Sequence, residues 1–146
     1  MVVRLNIGCG QSPTEGWNNY DNSPAVWLAR SRLLTALCSR TRLLDEHSIA
    51  FAVFCRDHDI RYANAAARIP HGTGTVDAIY SSHMMEHLDR SEARSFLAEC
   101  LRVLRPGGVL RLAVPDLRNN VQLYLEDNDA DAFVEYLLFD LDKPRG

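Results

Sequence analysis

The sequence lacks the marks of several protein classes. No apolar run approaches the roughly 20 residues that a membrane-spanning helix requires. The N-terminus enters a strand pattern directly, without the basic start and apolar core of a signal peptide, so a cytoplasmic chain is expected. Cysteine is sparse: Cys9, Cys38, Cys55 and Cys100 never fall in C-x-x-C spacing. That reads as free thiols in a reducing compartment, with neither a disulfide frame nor a zinc clip. Basic charge is not in excess, since the net charge is −3. No basic face interleaved with aromatics is present, and no nucleic-acid partner is expected. Repeats and low-complexity tracts are also missing. What remains is a 146-residue chain, 47% hydrophobic and 24% charged, suited to one domain spanning 1–146 around one core.

Charge is uneven along it. Asn22 to Leu44 carries Arg30, Arg32, Arg40 and Arg42 and no acid, whereas Asp116 to Asp142 carries eight acids and one arginine. Solvated helix faces account for both.

The informative stretch is VVRLNIGCGQSPTEGWNNYD, Val2 to Asp21. Val2, Val3, Leu5 and Ile7 read as a buried strand ending in the turn Gly8-Cys9-Gly10. Glycine there lets backbone approach a ligand that a Cβ would push away. A second short strand, Trp17 to Tyr20, ends on Asp21. A carboxylate at one strand tip beside a glycine turn at another is the arrangement that holds a ribose through its hydroxyls. A dinucleotide fingerprint would need a third glycine opening a helix, to seat a pyrophosphate on free N–H groups. Here that position is Pro13, and six residues separate Gly10 from Trp17, too few for a helix. A nucleoside cofactor without phosphate and with an amino-acid tail fits better: S-adenosylmethionine. The side-chain carbonyl of Asn6 is placed to accept from its ammonium group.

Downstream, Ser23 and Pro24 mark a helix start. Trp27, Leu33, Leu34, Leu37 and Leu44 give a helical stripe. Asp45 to Arg56 suits a second helix, although Ile49 to Cys55 is apolar enough for a strand. Ile60 to Ala63 is a short strand followed by Asn64, and a turn-rich segment leads to a strand over Val76 to Ser82. Asp89 and Glu92 form a capping box ahead of a helix whose buried face is Ala93, Phe96, Leu97, Cys100, Leu101 and Leu104. Pro106-Gly107-Gly108 stops it, and Val109 to Val114 forms a fifth strand ending at Pro115-Asp116. Leu117 to Asp142 reads as two helices broken at Asp127-Asn128-Asp129. The alternation predicts a mainly parallel, doubly wound α/β sheet with ligands at the carboxyl ends of its strands. Gly8 to Gly10, Asp21, Asn64, Ser81 to His83 and Asp116 are expected to converge there.

With these motifs in place the sequence resembles the class I S-adenosylmethionine-dependent methyltransferases, in particular the methyltransferase type 11 group. The likeness is carried by LNIGCG with GWNNYD, by VDAIYSSHMMEHL, and by FLAECLRVLRPGGVLRLAVPDL, and it spans most of residues 3 to 117. It implies a Rossmann-like fold. It also implies that Asn6, Gly8, Cys9 and Gly10 contact the methionine part of the cofactor, Asp21 the ribose, and Asn64 with Ala65 the adenine. Ser81, Ser82 and His83 would line the crevice near the sulfonium. Asn64 departs from the family's usual aspartate, but its carbonyl can still accept from the adenine amino group. A larger departure is the ending, because the family sheet continues with two further strands for which this chain has no pattern. The expectation is a fragment, a minimal variant, or a chain completed by a partner. Phe133, Tyr136, Leu137, Leu138, Phe139 and Leu141 would then form an exposed patch and a candidate homo-oligomer contact.

Methyl transfer asks the protein to align nucleophile, methyl and sulfur and to exclude water. For a hydroxyl or amine acceptor a histidine base helps, and the candidate catalytic residues are His83 and His87, with Glu86 to orient either. The same residues match H-x-x-E-H, a zinc-peptidase pattern that requires both imidazoles on one helix face; with the next helix starting at Asp89, they do not share one. The expected function is transfer of methyl to a small-molecule or glycan-like acceptor. The alternative is a cofactor-binding or assembly module without catalysis. The acceptor itself is not encoded in any motif, since such folds choose substrates through variable outer segments.

Overall fold

The computed structural model describes residues 2–41 and 45–136. Five strands form one sheet: β1 (Arg4–Ile7), β2 (Asn18–Asp21), β3 (Arg61–Tyr62), β4 (Val76–Ser82) and β5 (Leu104–Ala113). All pairs are parallel, in the order β3-β2-β1-β4-β5. The chain steps outward from β1 to β2 and β3, then returns to lay β4 on the other side of β1. Strand order therefore reverses between β1 and β4, and the carboxyl ends at that reversal open a crevice. Register sets Ile7 level with both Tyr20 and Ser81, and Asp21 level with Tyr62.

Helices connect and flank the strands. Ser23 caps α1 (Pro24–Ala29), its hydroxyl accepting from Ala25 N–H at 3.3 Å. After a break come α2 (Arg32–Thr41) and α3 (Glu46–Asp57). Asp45 caps α3 by accepting from Ser48 N–H at 2.7 Å, so the apolar stretch Ile49 to Cys55 is helical. The stripe read through this region is not a buried one. Trp27, Leu33, Leu34 and Leu37 are all more than half exposed. The break at Arg30-Ser31 resets the helical phase, and Thr35 is what faces inward, its hydroxyl donating to Leu28 O at 2.9 Å. Leu44 lies outside the described residues.

Helix α4 (Arg90–Val103) begins with the expected capping box between Asp89 and Glu92. Its buried face is narrower than the pattern: Phe96, Cys100 and Val103 are enclosed, while Leu97 and Leu101 are exposed. Only one stripe of the helix meets the sheet, packing on Leu5, Ile7, Val76 and Ile79. A second cluster joins Val26 and Ala29 of α1 to Cys55 of α3, with Cys9 and Ile60. The helix ends three residues before Pro106, because strand β5 starts at Leu104, opposite Val76. Arg105, preceding proline, is steered to extended backbone. A shift in register between Val76 and Ala78 takes up the extra residues, and this bulge lets Pro106-Gly107-Gly108 remain in the strand.

The chain divides into two compact units, Met1–Ala113 and Val114–Gly146. In the second, Asp116 caps α5 (Leu117–Asp127), accepting from Arg118 N–H at 3.0 Å. Asn128 ends that helix in the left-handed region at φ 56°. Helix α6 (Ala130–Tyr136) folds back so that Phe133 meets Tyr124, ring centroids 5.2 Å apart. The break read at Asp127-Asn128-Asp129 is where the structure has it. Leu137, Leu138, Phe139 and Leu141 of the expected patch lie outside the described residues.

Candidate functional site

The site grows from the link between β1 and β2. Asn6 is buried, and its amide nitrogen donates to Ser12 O at 3.0 Å, Thr14 Oγ1 at 3.2 Å and Asn19 Oδ1 at 3.2 Å. Asn19 in turn accepts from Thr14 N–H at 2.8 Å and donates to Thr14 O at 3.1 Å. These bonds tie residues 12–14 of the link down to the two strands. The glycine turn above is fastened to β2: Gly8 N–H and Cys9 N–H donate to Tyr20 O at 2.9 and 3.1 Å. Gly8 and Gly10 have φ of 67° and 49°, a region where a side chain costs roughly 1–2 kcal/mol.

Asp21 follows at the tip of β2. Its carboxylate accepts from Gly10 N–H at 3.0 Å through Oδ2 and from Ser23 N–H at 2.8 Å through Oδ1. Two backbone donors fix its orientation, and each oxygen keeps further acceptor capacity. Cys9 is 6% exposed with its side chain in the α1–α3 cluster. Burial, with the Asp21 charge beside it, pushes its thiol up to about 12. It is a neutral core residue at every ordinary pH.

On the other side of the reversal, β4 delivers Ser81 and Ser82. Ser81 is buried, and its hydroxyl oxygen has no hydrogen-bond partner. His83 follows at φ 51°, a left-handed value for a residue with a side chain, held by its N–H donating to Ala113 O at 3.0 Å. Its Nδ1 lies 3.4 Å from Glu86 Oε1, with the imidazole largely exposed. His87 belongs to a 3₁₀ turn over Met85–His87. His83 stands outside that turn, so the two imidazoles do not share a helix face.

Asn64 is exposed after β3. Its side-chain oxygen already accepts from Ala66 N–H at 3.1 Å and Ala67 N–H at 3.2 Å. Its acceptor is thus engaged within the turn and the amide NH₂ is the other end of the side chain, whereas the sequence points to the carbonyl as the group used. Ala65 is buried in the core cluster. Gly8, Asn64 and Ala65 line one small gap of about 20 Å³, together with Asn22, Met84 and Leu88. The sequence had pointed to the first three. Met84 carries no signal of its own in the sequence, and only the tertiary fold places it against Gly8. Asn6, Cys9, Gly10, Asp21, Ser81, Ser82 and His83 sit at the ends of β1, β2 and β4 as read. Asp116 belongs to the second unit.

Parallel strands in this order, with a glycine turn after β1 and a fixed carboxylate at the tip of β2, define a doubly wound α/β fold. A family model described as methyltransferase domain, of the type 11 group, matches residues 25–112, and the chain belongs to that family. The matched span covers β3 to β5 and begins after the glycine turn and Asp21. A protein of Mycolicibacterium smegmatis described as a probable S-adenosylmethionine-dependent methyltransferase is 41% identical over 59 residues, which is 40% of this chain and 21% of that protein. The chain thus spans about a fifth of the curated relative it matches. Among solved structures, the methyltransferase domain of bacterial CtHen1-CN aligns with a TM-score of 0.51 and 17% identity, covering 92% of this chain and 66% of that one. At that identity the likeness is one of fold.

Proposed function

We propose that the chain binds S-adenosylmethionine across the carboxyl ends of β1, β2 and β4 and passes its methyl group to a small-molecule acceptor. The observation that carries this reading is the Asp21 carboxylate, held at the strand tip by Gly10 and Ser23 N–H groups beside the strand-order reversal. Two further features fit the cofactor: the Ser81 hydroxyl, enclosed without a partner, and the absence of a Cβ at Gly8. Asp21 would hold the ribose hydroxyls, and the amide NH₂ of Asn64 would donate to a ring nitrogen of adenine. When bound, the cofactor supplies an electrophilic methyl on a sulfonium. The protein's share is alignment and water exclusion, and removal of the acceptor's proton. His83 is the better placed base of the two histidines, because Glu86 sits at its Nδ1 and leaves Nε2 to receive that proton.

Calorimetric titration of the full chain with S-adenosylmethionine and with S-adenosylhomocysteine tests the cofactor site, repeated on Asp21→Ala. Micromolar binding that weakens by about two orders of magnitude in the variant, a loss of roughly 3 kcal/mol, is the expected result. A folded chain that binds neither compound overturns the reading and leaves an assembly module.

A further inference from the structure

A second cavity, of about 440 Å³, opens between α1, α3 and the edge strand β3. It shares no lining residue with the gap at Gly8 and Asn64. Its apolar floor is the cluster of Val26, Ala29, Cys55 and Ile60. One wall is aromatic: Trp27 and Tyr62 touch at 4.7 Å between ring centroids, tilted by 45°, and Trp27 is half exposed. The rest of the lining is charged: Arg30, Arg56, Arg61 and the carboxylate of Asp59. Arg61 is neutralised by Asp59 at 2.6 Å. Arg30 instead lies over the Trp27 ring, 5.8 Å from its centroid, and among the described residues it faces no carboxylate. Arg56 encloses its Nε without an acceptor; the nearest carboxylate oxygen, on Asp57, is 3.7 Å away, beyond a hydrogen bond.

A guanidinium that faces no carboxylate among the described residues, Arg30, with Arg56 held to Asp57 only at ion-pair distance, beside an aromatic wall over an apolar floor is a defined chemical complement. Guanidinium groups match the planar or tetrahedral oxygens of carboxylate and phosphate, and an aromatic wall adds stacking area. A small anion without a ring would leave the wall and floor wet, and a neutral ring would leave Arg30 unmatched. We propose that this cavity is a binding site for a small aromatic anion, its ring against Trp27 and Tyr62 and its charged oxygens on Arg30 and Arg56. The site is separate from the cofactor crevice and stands whether or not the chain transfers methyl groups.

Trp27 reports on it directly. The chain has two tryptophans, so Trp17→Phe leaves Trp27 as the sole indole emitter. Titration of that variant of the full chain with phenyl phosphate is expected to quench Trp27 emission saturably at sub-millimolar concentration. Inorganic phosphate and benzyl alcohol, each alone, should bind about tenfold more weakly or worse. Adding Arg30→Gln should weaken phenyl phosphate by about tenfold while the circular dichroism spectrum stays unchanged, the Arg30 side chain being exposed. Calorimetry on Trp27→Leu, with both arginines intact, should show a comparable loss. A linear, non-saturating response overturns the site. So does an equal affinity for either half of the probe, or for the Arg30→Gln protein.

Discussion

A Cβ built on Gly8 would lie 2.5 Å from Cγ and 2.7 Å from Cβ of Met84. The end of β1 and the segment leaving β4 are therefore in backbone-to-side-chain contact over the crevice. Gly8→Ala meets two separate costs: the left-handed backbone, roughly 1–2 kcal/mol, and displacement of Met84. Met84→Gly in the same chain takes away both Cγ and Cβ, which removes the second cost and leaves the first. Denaturant titration of the two single variants and the double variant should show a favourable coupling of about 1 kcal/mol or more between the sites. Strict additivity would mean that the contact is not made in solution.

Glu99 offers a pH test. Its carboxylate accepts from Arg102 Nε at 2.7 Å and Nη2 at 2.6 Å and from Ile69 N–H at 2.8 Å. The Arg102 bonds, more than any other cause, lower its pKa from 4.5 to about 2. The folded chain then stays ionised where the unfolded chain takes up a proton, so this stabilisation is complete above pH 4.5 and fades as pH falls toward 2. Glu99→Ala should cost about 2 kcal/mol near neutrality, and the difference from the parent chain should shrink across that acidic window. A penalty independent of pH would contradict the assignment.

Thiol labelling separates buried cysteines from reactive ones. Burial raises Cys9 and Cys100 to about 12 and Cys55 to about 11, so almost no thiolate exists at pH 8. Mass spectrometry after iodoacetamide treatment should find these three unmodified in the folded chain and modified in denaturant. Rapid native labelling of Cys9 would mean that it reacts in spite of its burial.

Ser81→Ala distinguishes a structural hydroxyl from one kept for a ligand. Because Ser81 Oγ is enclosed without a partner, its removal relieves a desolvation cost and should leave stability unchanged or raise it by up to about 1 kcal/mol. The same change should weaken S-adenosylmethionine binding by calorimetry. A large loss of stability would show that the hydroxyl is bonded in solution.

Local signals carried most of the architecture. The apolar run before Gly8, the capping box at Asp89 and the proline after Ser23 each act within a few residues, and the structure repeats them. The misread helix faces share one cause, since periodicity says which residues could face a core but not where the core is. Leu33, Leu34, Leu37 and Leu101 follow helical spacing and end up exposed, because a broken helix lost phase and another helix met the sheet along a single stripe. The same limit applied at the site. Gly8, Gly10 and Asp21 stood out because turns and strand tips are local, whereas Met84 over Gly8 depends on β1 and β4, far apart in sequence, pairing side by side. The polarity of Asn64 was hidden for a different reason: its oxygen is engaged by the turn from Asn64 to Ala67.

The amide of Asn6, donating to three acceptors in and beside the link from β1 to β2, has a thermodynamic consequence. That link of about ten residues crosses from one strand to the next with no helix of its own, and loops are commonly more mobile than the elements they connect. Here its order is established as the chain folds, at a cost in backbone entropy of roughly 1 kcal/mol per residue. A ligand bound at Asp21, as proposed, would meet a link already held by hydrogen bonds, and its affinity would not be reduced by ordering this segment. Replacing Asn6 would move that entropy cost from folding to binding.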